Sequence, residues 1–353
     1  MMEQIGFNQQ IEKALNEQNP EGFALGRVTS EQKENYQVLT TQGEYRAEIT
    51  GNLRFKAQAR EDLPCVGDWV LLSLYDNQFA VIHRILTRYS LIKRRAVDQL
   101  DTQLIAANVD YALLVQAADR DFNLNRLERY LILCEESGVQ PLTVITKIDL
   151  FPETTLQSIQ TSLENRLKTT RTFFISNKTG QGLDLLKAEF QSGKTYCLLG
   201  SSGVGKSTLL NCLLEHQIIK TGELSLLTQK GKHTTSSRGM YFLTSGAILV
   251  DTPGLREVGV IENDAGIAKT FEAIESLARH CRFTNCQHIQ EAGCAVLEAL
   301  EKKELDPHQY ANYLKLKKEN AYTTATKAER RKKEKVLGKV IKKYLKNERS
   351  DLL

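Results

Sequence analysis

Apolar and polar positions along this chain change their period twice, and each change marks a different kind of structure. Residues 3–18 carry a short, mostly polar helical pattern. From Ala24 to about Leu91 the apolar runs are short and rich in β-branched and aromatic residues, at 24–28, 36–40, 45–49, 69–74 and 79–85. Turn residues separate them at 33–35, 42–43, 51–52, 67–68 and 76–77, which is the pattern of consecutive short strands. Five such strands predict a small closed barrel, of which the oligonucleotide-binding type (OB-fold) is a common form. From about Val109 the texture becomes strand–helix alternation: strands at 109–117, 141–146, 171–176 and 195–199, helices at 125–137, 154–168 and 183–190. That alternation predicts a parallel, doubly wound α/β domain. A hairpin-like pair follows at 240–243 and 247–250, and helical patterns return at 295–303 and 307–319. Within 327–346, Val336, Leu337, Val340, Ile341, Tyr344 and Leu345 recur at helical spacing among ten Lys/Arg and two Glu. The pattern there is an apolar stripe on a basic helix.

The totals narrow the class. A length of 353 residues suits two or three domains, and 25% charged with 41% hydrophobic residues is ordinary globular composition. No apolar run approaches the ~18 residues of a membrane span, and the first residues lack the pattern of a signal peptide. The basic helix alone suits a membrane surface as well as a nucleic acid, but with the barrel beside it no membrane partner is expected. Seven cysteines, three of them crowded near residue 290, point to a reducing, cytoplasmic setting and a metal site. Cys65, Cys134, Cys197 and Cys212 lie in or beside apolar runs and read as small core residues. The net charge of +4 hides an asymmetry: residues 301–353 carry sixteen Lys/Arg against eight Asp/Glu, a net +8, so the first 300 sum to −4. A basic tail on a mildly acidic body fits a polyanionic partner or a solvated helix face. Arg54, Lys56 and Arg60 fall in an expected long loop, and Lys93, Arg94 and Arg95 follow the last barrel strand. They suit a nucleic-acid backbone and a solvated loop equally.

The chemistry concentrates in one stretch. Gly200, Ser201, Ser202, Gly203, Val204, Gly205, Lys206 and Ser207, followed by Thr208, fit G-x-x-x-x-G-K-[ST] between a buried strand and a helix start. There, loop amides and the helix N-terminus point at phosphate, the lysine reaches the β- and γ-phosphates, and the hydroxyl of Ser207 holds Mg²⁺. Three other strand exits carry the rest. At Thr146, Lys147, Ile148 and Asp149 the aspartate can accept two hydrogen bonds from one edge of guanine, a pair that adenine does not offer. At Ser176, Asn177 and Lys178 backbone amides can meet the guanine oxygen. At Asp251 and Gly254 a carboxylate suits a Mg²⁺-bound water and an amide suits a γ-phosphate. Each motif alone is weak; all of them at the strand exits of one domain read as a guanine-nucleotide site. Cys281, Cys286, His288 and Cys294 form C-x₄-C-x-H-x₅-C, a donor set suited to a closed structural Zn²⁺ site. His280 is a competing ligand on spacing alone.

In these motifs and their order the chain resembles the circularly permuted GTPases, specifically the ribosome small-subunit-dependent GTPase A family, along nearly its whole length. Guanine-reading residues come before the phosphate loop instead of after it. The resemblance implies three regions: an OB-fold barrel at 1–95, a permuted P-loop GTPase at 96–258, and a zinc-binding helical domain with a basic tail at 259–353. It implies GTP or GDP with Mg²⁺, one structural zinc on Cys281, Cys286, His288 and Cys294, and a monomer that binds the small ribosomal subunit and its rRNA in late maturation. It also matches the segment of Gly231, His233, Thr234 and Thr235, where one threonine, with Thr235 preferred, binds Mg²⁺ and the γ-phosphate. Leu255 stands where many GTPases have a water-orienting glutamine, so intrinsic hydrolysis is expected to be slow, with His233 the candidate in its place and Lys206 and Thr235 beside it. The alternatives are an RNA-binding protein with nucleotide as a structural ligand, and an ATP-dependent enzyme using the same loop.

Overall fold

The computed structural model describes residues 2–18, 20–32, 35–95, 102–167, 170–214, 238–252 and 264–324. The chain divides into two compact units, Met1–Gly259 and Val260–Leu353.

In the first unit, helix α1 (Gln9–Glu17) starts where the Asn8 side chain accepts the amides of Gln10 and Ile11, satisfying two of the donors that a helix start leaves open. Strands β1 (Ala24–Gln32), β2 (Asn35–Thr40), β3 (Gly43–Ile49), β4 (Trp69–Tyr75) and β5 (Phe79–Ile85) follow. They pair in the order β1-β2-β3-β5-β4, and β4 also pairs with β1, so the five-strand barrel closes as expected. Val28, Val38, Ala47, Val70, Leu72, Ala80 and Ile82 fill it, drawn from alternate positions because successive side chains of a strand face opposite ways.

Two expectations are corrected here. The loop assigned to Arg54, Lys56 and Arg60 contains helix α2 (Gly51–Lys56), capped by Thr50, and a 3₁₀ turn Arg60–Asp62. Lys93, Arg94 and Arg95 do follow the last barrel strand, but not as a loop: they lie in β6 (Leu91–Arg95), which pairs with β7 (Thr102–Ala107). Several of these cations are committed within the protein: Arg60 to Glu31, Lys93 to Glu61 at 2.8 Å, and Arg94 to Gln103 at 2.8 Å.

The α/β region contains β8 (Tyr111–Ala117), α3 (Leu124–Ser137), β9 (Gln140–Thr146), α4 (Glu153–Arg166), β10 (Arg171–Phe174), α5 (Leu183–Lys187), β11 (Thr195–Leu199), α6 (Lys206–Leu214), β12 (Arg238–Phe242) and β13 (Ile248–Asp251). The order is β10-β9-β8-β11-β13-β12, all parallel except β12. Along β8, Ala112 and Leu114 pack with α3 and α4 residues such as Leu127 and Ile159, while Leu113 and Val115 pack with Leu186 and Leu209. Helices on both faces explain why these strands read as continuous apolar runs. The order continues from β12 directly into barrel strand β1.

The second unit has α7 (Asp264–Thr270), α8 (Glu272–Ala278), α9 (Ala295–Glu301) and α10 (Pro307–Thr324). Phe271, Ile274, Val296, Leu305, Tyr313 and Leu316 are buried there, and the Phe271 and Tyr313 rings meet edge-on at 5.5 Å. The basic stripe expected at 327–346 lies outside the described residues.

Candidate functional site

Strand β11 delivers its five buried residues straight into the glycine-rich loop. A Cβ at Gly200 would lie 2.3 Å from the Val115 carbonyl oxygen, and Gly203 and Gly205 hold φ of +84° and +96°, so the close backbone path demands glycine. Val204 is buried and anchors the loop in the core. Lys206, only 8% exposed, donates from Nζ to the carbonyl oxygens of Gly200 and Ser201, both at 2.6 Å. Burial lowers its pKa, with Asp251 acting the other way. Burial likewise raises the Asp251 pKa, opposed by Lys206 and by the Thr252 amide. A buried cation and a carboxylate that stabilise each other at the mouth of a glycine loop suit a phosphate–metal ligand. Ser207 and Thr208 are exposed at the start of α6.

The base-reading residues are tied to this loop. Thr146, at the exit of β9, donates from Oγ1 to the Val204 carbonyl at 2.6 Å. Asn177 donates from Nδ2 to the next carbonyl, Gly205, at 3.1 Å. Lys147 adopts a left-handed φ of +62° and pairs with Asp119 at 2.9 Å. Ile148 is buried, and Asp149 stands exposed with one oxygen accepting from Ser176 Oγ at 2.6 Å. Ser176 Oγ in turn accepts the Lys178 amide at 3.2 Å. The carboxylate is thus oriented by one neighbour and left open to another. Among the described residues, the motifs from 146–149, 176–178 and 200–207 are therefore joined by direct hydrogen bonds, and the Asp251 carboxylate is near enough to act electrostatically on Lys206. Sequence patterns gave no sign of the Asn177 tether or of the Lys147–Asp119 pair, because both partners lie far apart in the chain. His233, Thr234, Thr235, Gly254 and Leu255 lie outside the described residues.

In the second unit the ligand atoms of Cys281, Cys286, His288 and Cys294 all lie within 4.8 Å of one another. Cys281 and Cys294 sulfurs are 3.8 Å apart, and His288 Nδ1 is 3.5 and 3.4 Å from them. A tetrahedron with Zn–S of about 2.3 Å and Zn–N of about 2.05 Å has edges of about 3.8 and 3.6 Å, so the spacing fits zinc. Burial works to raise the Cys281 pKa, but the amides of Ala295 and Val296 at the start of α9 and the neighbouring cysteines bring it below its ordinary value, which favours the ligating thiolate. His288 sits at φ +61° and its carbonyl accepts from the Tyr310 hydroxyl. Glu291 accepts the amides of Gln287, Ile289 and Gln290 at 2.8–3.0 Å, closing the turn between the ligands. His280 is not part of the cluster.

Known proteins resemble this chain in sequence and fold. The family model described as RsgA GTPase matches residues 85–261. A Listeria innocua protein, "Small ribosomal subunit biogenesis GTPase RsgA 1", is 41% identical over 85% of this chain and 84% of its own. A Vibrio parahaemolyticus relative, "Small ribosomal subunit biogenesis GTPase RsgA 2", is 36% identical over 99% and 94%. The crystal structure of YjeQ from Thermotoga maritima superposes with a TM-score of 0.62 at 26% identity, covering 85% of this chain and 99% of that one. YloQ, titled a circularly permuted GTPase, gives 0.61 at 26% identity, covering 87% and 98%.

Proposed function

The chain belongs to the RsgA GTPase family, and on that premise we propose that it binds the small ribosomal subunit, hydrolyses GTP there and assists the subunit's late maturation. Phosphate is bound by Gly200 to Ser207 and Thr208, with Lys206 on the β- and γ-phosphates. Mg²⁺ is held by Ser207, Thr235 and Asp251, and Gly254 meets the γ-phosphate. Guanine is read by Asp149, supported by Thr146, Lys147 and Ile148 and by the turn of Ser176, Asn177 and Lys178. Zinc, one ion per chain, is held by Cys281, Cys286, His288 and Cys294 and supplies structure rather than chemistry. Leucine at 255 offers no hydrogen bond to the attacking water, so intrinsic turnover is slow and contact with the subunit completes the site, with His233 as the chain's own water-positioning group. The working division is a barrel at 1–95, a GTPase region at 96–258 and a zinc region with its basic tail at 259–353. The protein acts as a monomer in the cytoplasm, and the barrel and tail meet rRNA. Among the described residues no helix is long and apolar enough to cross a membrane.

The observation that carries the guanine assignment is the exposed Asp149 carboxylate, oriented by Ser176 on a turn tied to the phosphate loop. Replacing Asp149 with Asn reverses the hydrogen-bonding demand on the base edge. The Asp149→Asn protein is expected to bind GTP about 100-fold more weakly and to prefer xanthosine triphosphate. Unchanged GTP affinity, measured by titration with both nucleotides, overturns the assignment.

A further inference from the structure

The least expected side chain in the first unit is Arg27, on barrel strand β1. It is 1% exposed, and no carboxylate makes an ion pair with it among the described residues. Its guanidinium is held by neutral groups from three separate parts of the unit. Nη1 donates to the Ile5 carbonyl at 2.6 Å, ahead of α1, and Nε to the Gly67 carbonyl at 3.3 Å, ahead of β4. Nη2 donates to the Asn108 carbonyl at 3.1 Å and to Thr195 Oγ1 at 2.9 Å, both in the GTPase region. The Trp69 ring centroid lies 5.6 Å from the guanidinium carbon. Burial lowers the Arg27 pKa, while Tyr89, Asp110 and Asp68 offset part of that cost.

A buried cation surrounded by dipoles is a poor way to gain stability, since apolar residues of similar volume commonly do as well or better. What it gives is geometry. A planar fork satisfied by four acceptors has one arrangement, which fixes the relative position of everything that it touches. Thr195 is the first residue of β11, whose last residue, Leu199, leads into Gly200 of the phosphate loop. Thr195 is also held from the other side, its amide donating to Asp110 at 2.8 Å, next to the Lys194–Asp110 pair at 2.9 Å. The same barrel strand that carries Arg27 pairs through Ser30 and Glu31 with Gly239 and Arg238 of β12. Strand β1 therefore grips two separate strands of the GTPase sheet, one by side chain and one by backbone.

We propose that Arg27 is a positioning residue that joins the barrel to the base of the phosphate-loop strand, so that docking of the barrel on RNA is transmitted to the nucleotide site as a rigid-body constraint. The inference rests on the subunit-dependent turnover described above. In its absence the barrel still binds and the nucleotide site still fills, but the two events no longer register.

The test uses the full-length, zinc-loaded protein with purified small subunits, well below its melting temperature. In Arg27→Gln, intrinsic GTP turnover, GTP affinity and subunit affinity are expected to stay within twofold of wild type. Subunit-stimulated turnover is expected to fall about tenfold, in the ordinary range for coupling between two sites. Thr195→Val keeps the shape and removes the hydroxyl acceptor that joins Arg27 to β11. It is expected to lower stimulation about threefold at a temperature where the variant is still folded, with some loss of melting temperature because a buried charged N–H loses its partner. It also decides the matter if Arg27→Gln does not fold. Full stimulation in Thr195→Val, or in a folded Arg27→Gln, overturns the inference and leaves Arg27 a stabiliser of the fold. A wild-type protein that small subunits do not stimulate overturns the ribosomal reading first, and this inference with it.

Discussion

At the phosphate loop the restraints come from across the sheet, whereas at the Cys281 cluster they are local hydrogen bonds from Glu291 and Tyr310 beside the ligands. Val204 and Gly205 offer their carbonyls to Thr146 and Asn177, and Gly200 and Ser201 offer theirs to Lys206. The loop thus has a defined shape from protein groups alone, resting on a sheet covered on both faces. In the second unit the ligands come from a loop between α8 and α9, with no strand under them among the described residues. Three sulfurs and an imidazole crowd within 4.8 Å, and a small apolar core lies alongside. Binding sites built on strand exits can be preorganised by hydrogen bonds; sites built on loops need the ion itself to fix them.

The largest expected effect follows from that difference. Replacing Cys281 with Ser, or removing metal with a chelator, takes away ion binding worth on the order of 10 kcal/mol. Residues 264–324 are expected to lose amide-exchange protection while GTP affinity at the first unit stays within about twofold. If nucleotide affinity falls together with that protection, the two sites are not built as independently as their restraints indicate. A smaller effect is expected at the tethered loop. Asn177→Ala removes one hydrogen bond of about 1 kcal/mol and should weaken GTP and GDP about fivefold by titration, with zinc content unchanged; no loss shows that Thr146 and Lys206 hold the loop without it.

A pH-dependent effect also distinguishes the units, through two carboxyl groups of opposite environment. Burial raises the Glu136 pKa from 4.5 to about 7, with Lys93 opposing it. The folded first unit therefore holds a proton that the unfolded chain has released, and its stability declines as pH rises from 4.5 through 7. Amides of Gln287, Ile289 and Gln290 lower the Glu291 pKa to about 2, so its contribution is present above 4.5 and is lost as pH falls through 2. Glu136→Gln should raise the first unit's melting temperature more at pH 8 than at pH 5, and Glu291→Gln should lower the second unit's at neutral pH. Melting curves at both pH values that shift in the same direction for both variants contradict the assigned environments.

Much of this was readable in the sequence, for physical reasons. Short strands with turn residues between them gave the barrel, and the change to strand–helix alternation gave the parallel sheet. The phosphate loop is a local motif, because glycines and Lys206 must be adjacent in the chain to wrap an anion. Cys281 to Cys294 is local for the same reason. What stayed hidden depends on partners far apart in sequence. Asn177 reaches Gly205, Lys147 reaches Asp119, and Arg27 reaches Asn108 and Thr195, and no spacing rule encodes any of them. The β6–β7 pair was missed because Lys93, Arg94 and Arg95 look like a basic loop, although Lys93 and Arg94 pair with Glu61 and Gln103.

The central claim is that a self-restrained guanine site waits for the small subunit to complete it. Its most direct test is turnover of GTP and of ATP by the wild-type protein, with and without purified small subunits. Slow GTP hydrolysis alone, rising at least about tenfold with small subunits and with ATP untouched in both cases, is the predicted result. GTP turnover indifferent to the subunit, or ATP consumed as readily as GTP, contradicts it.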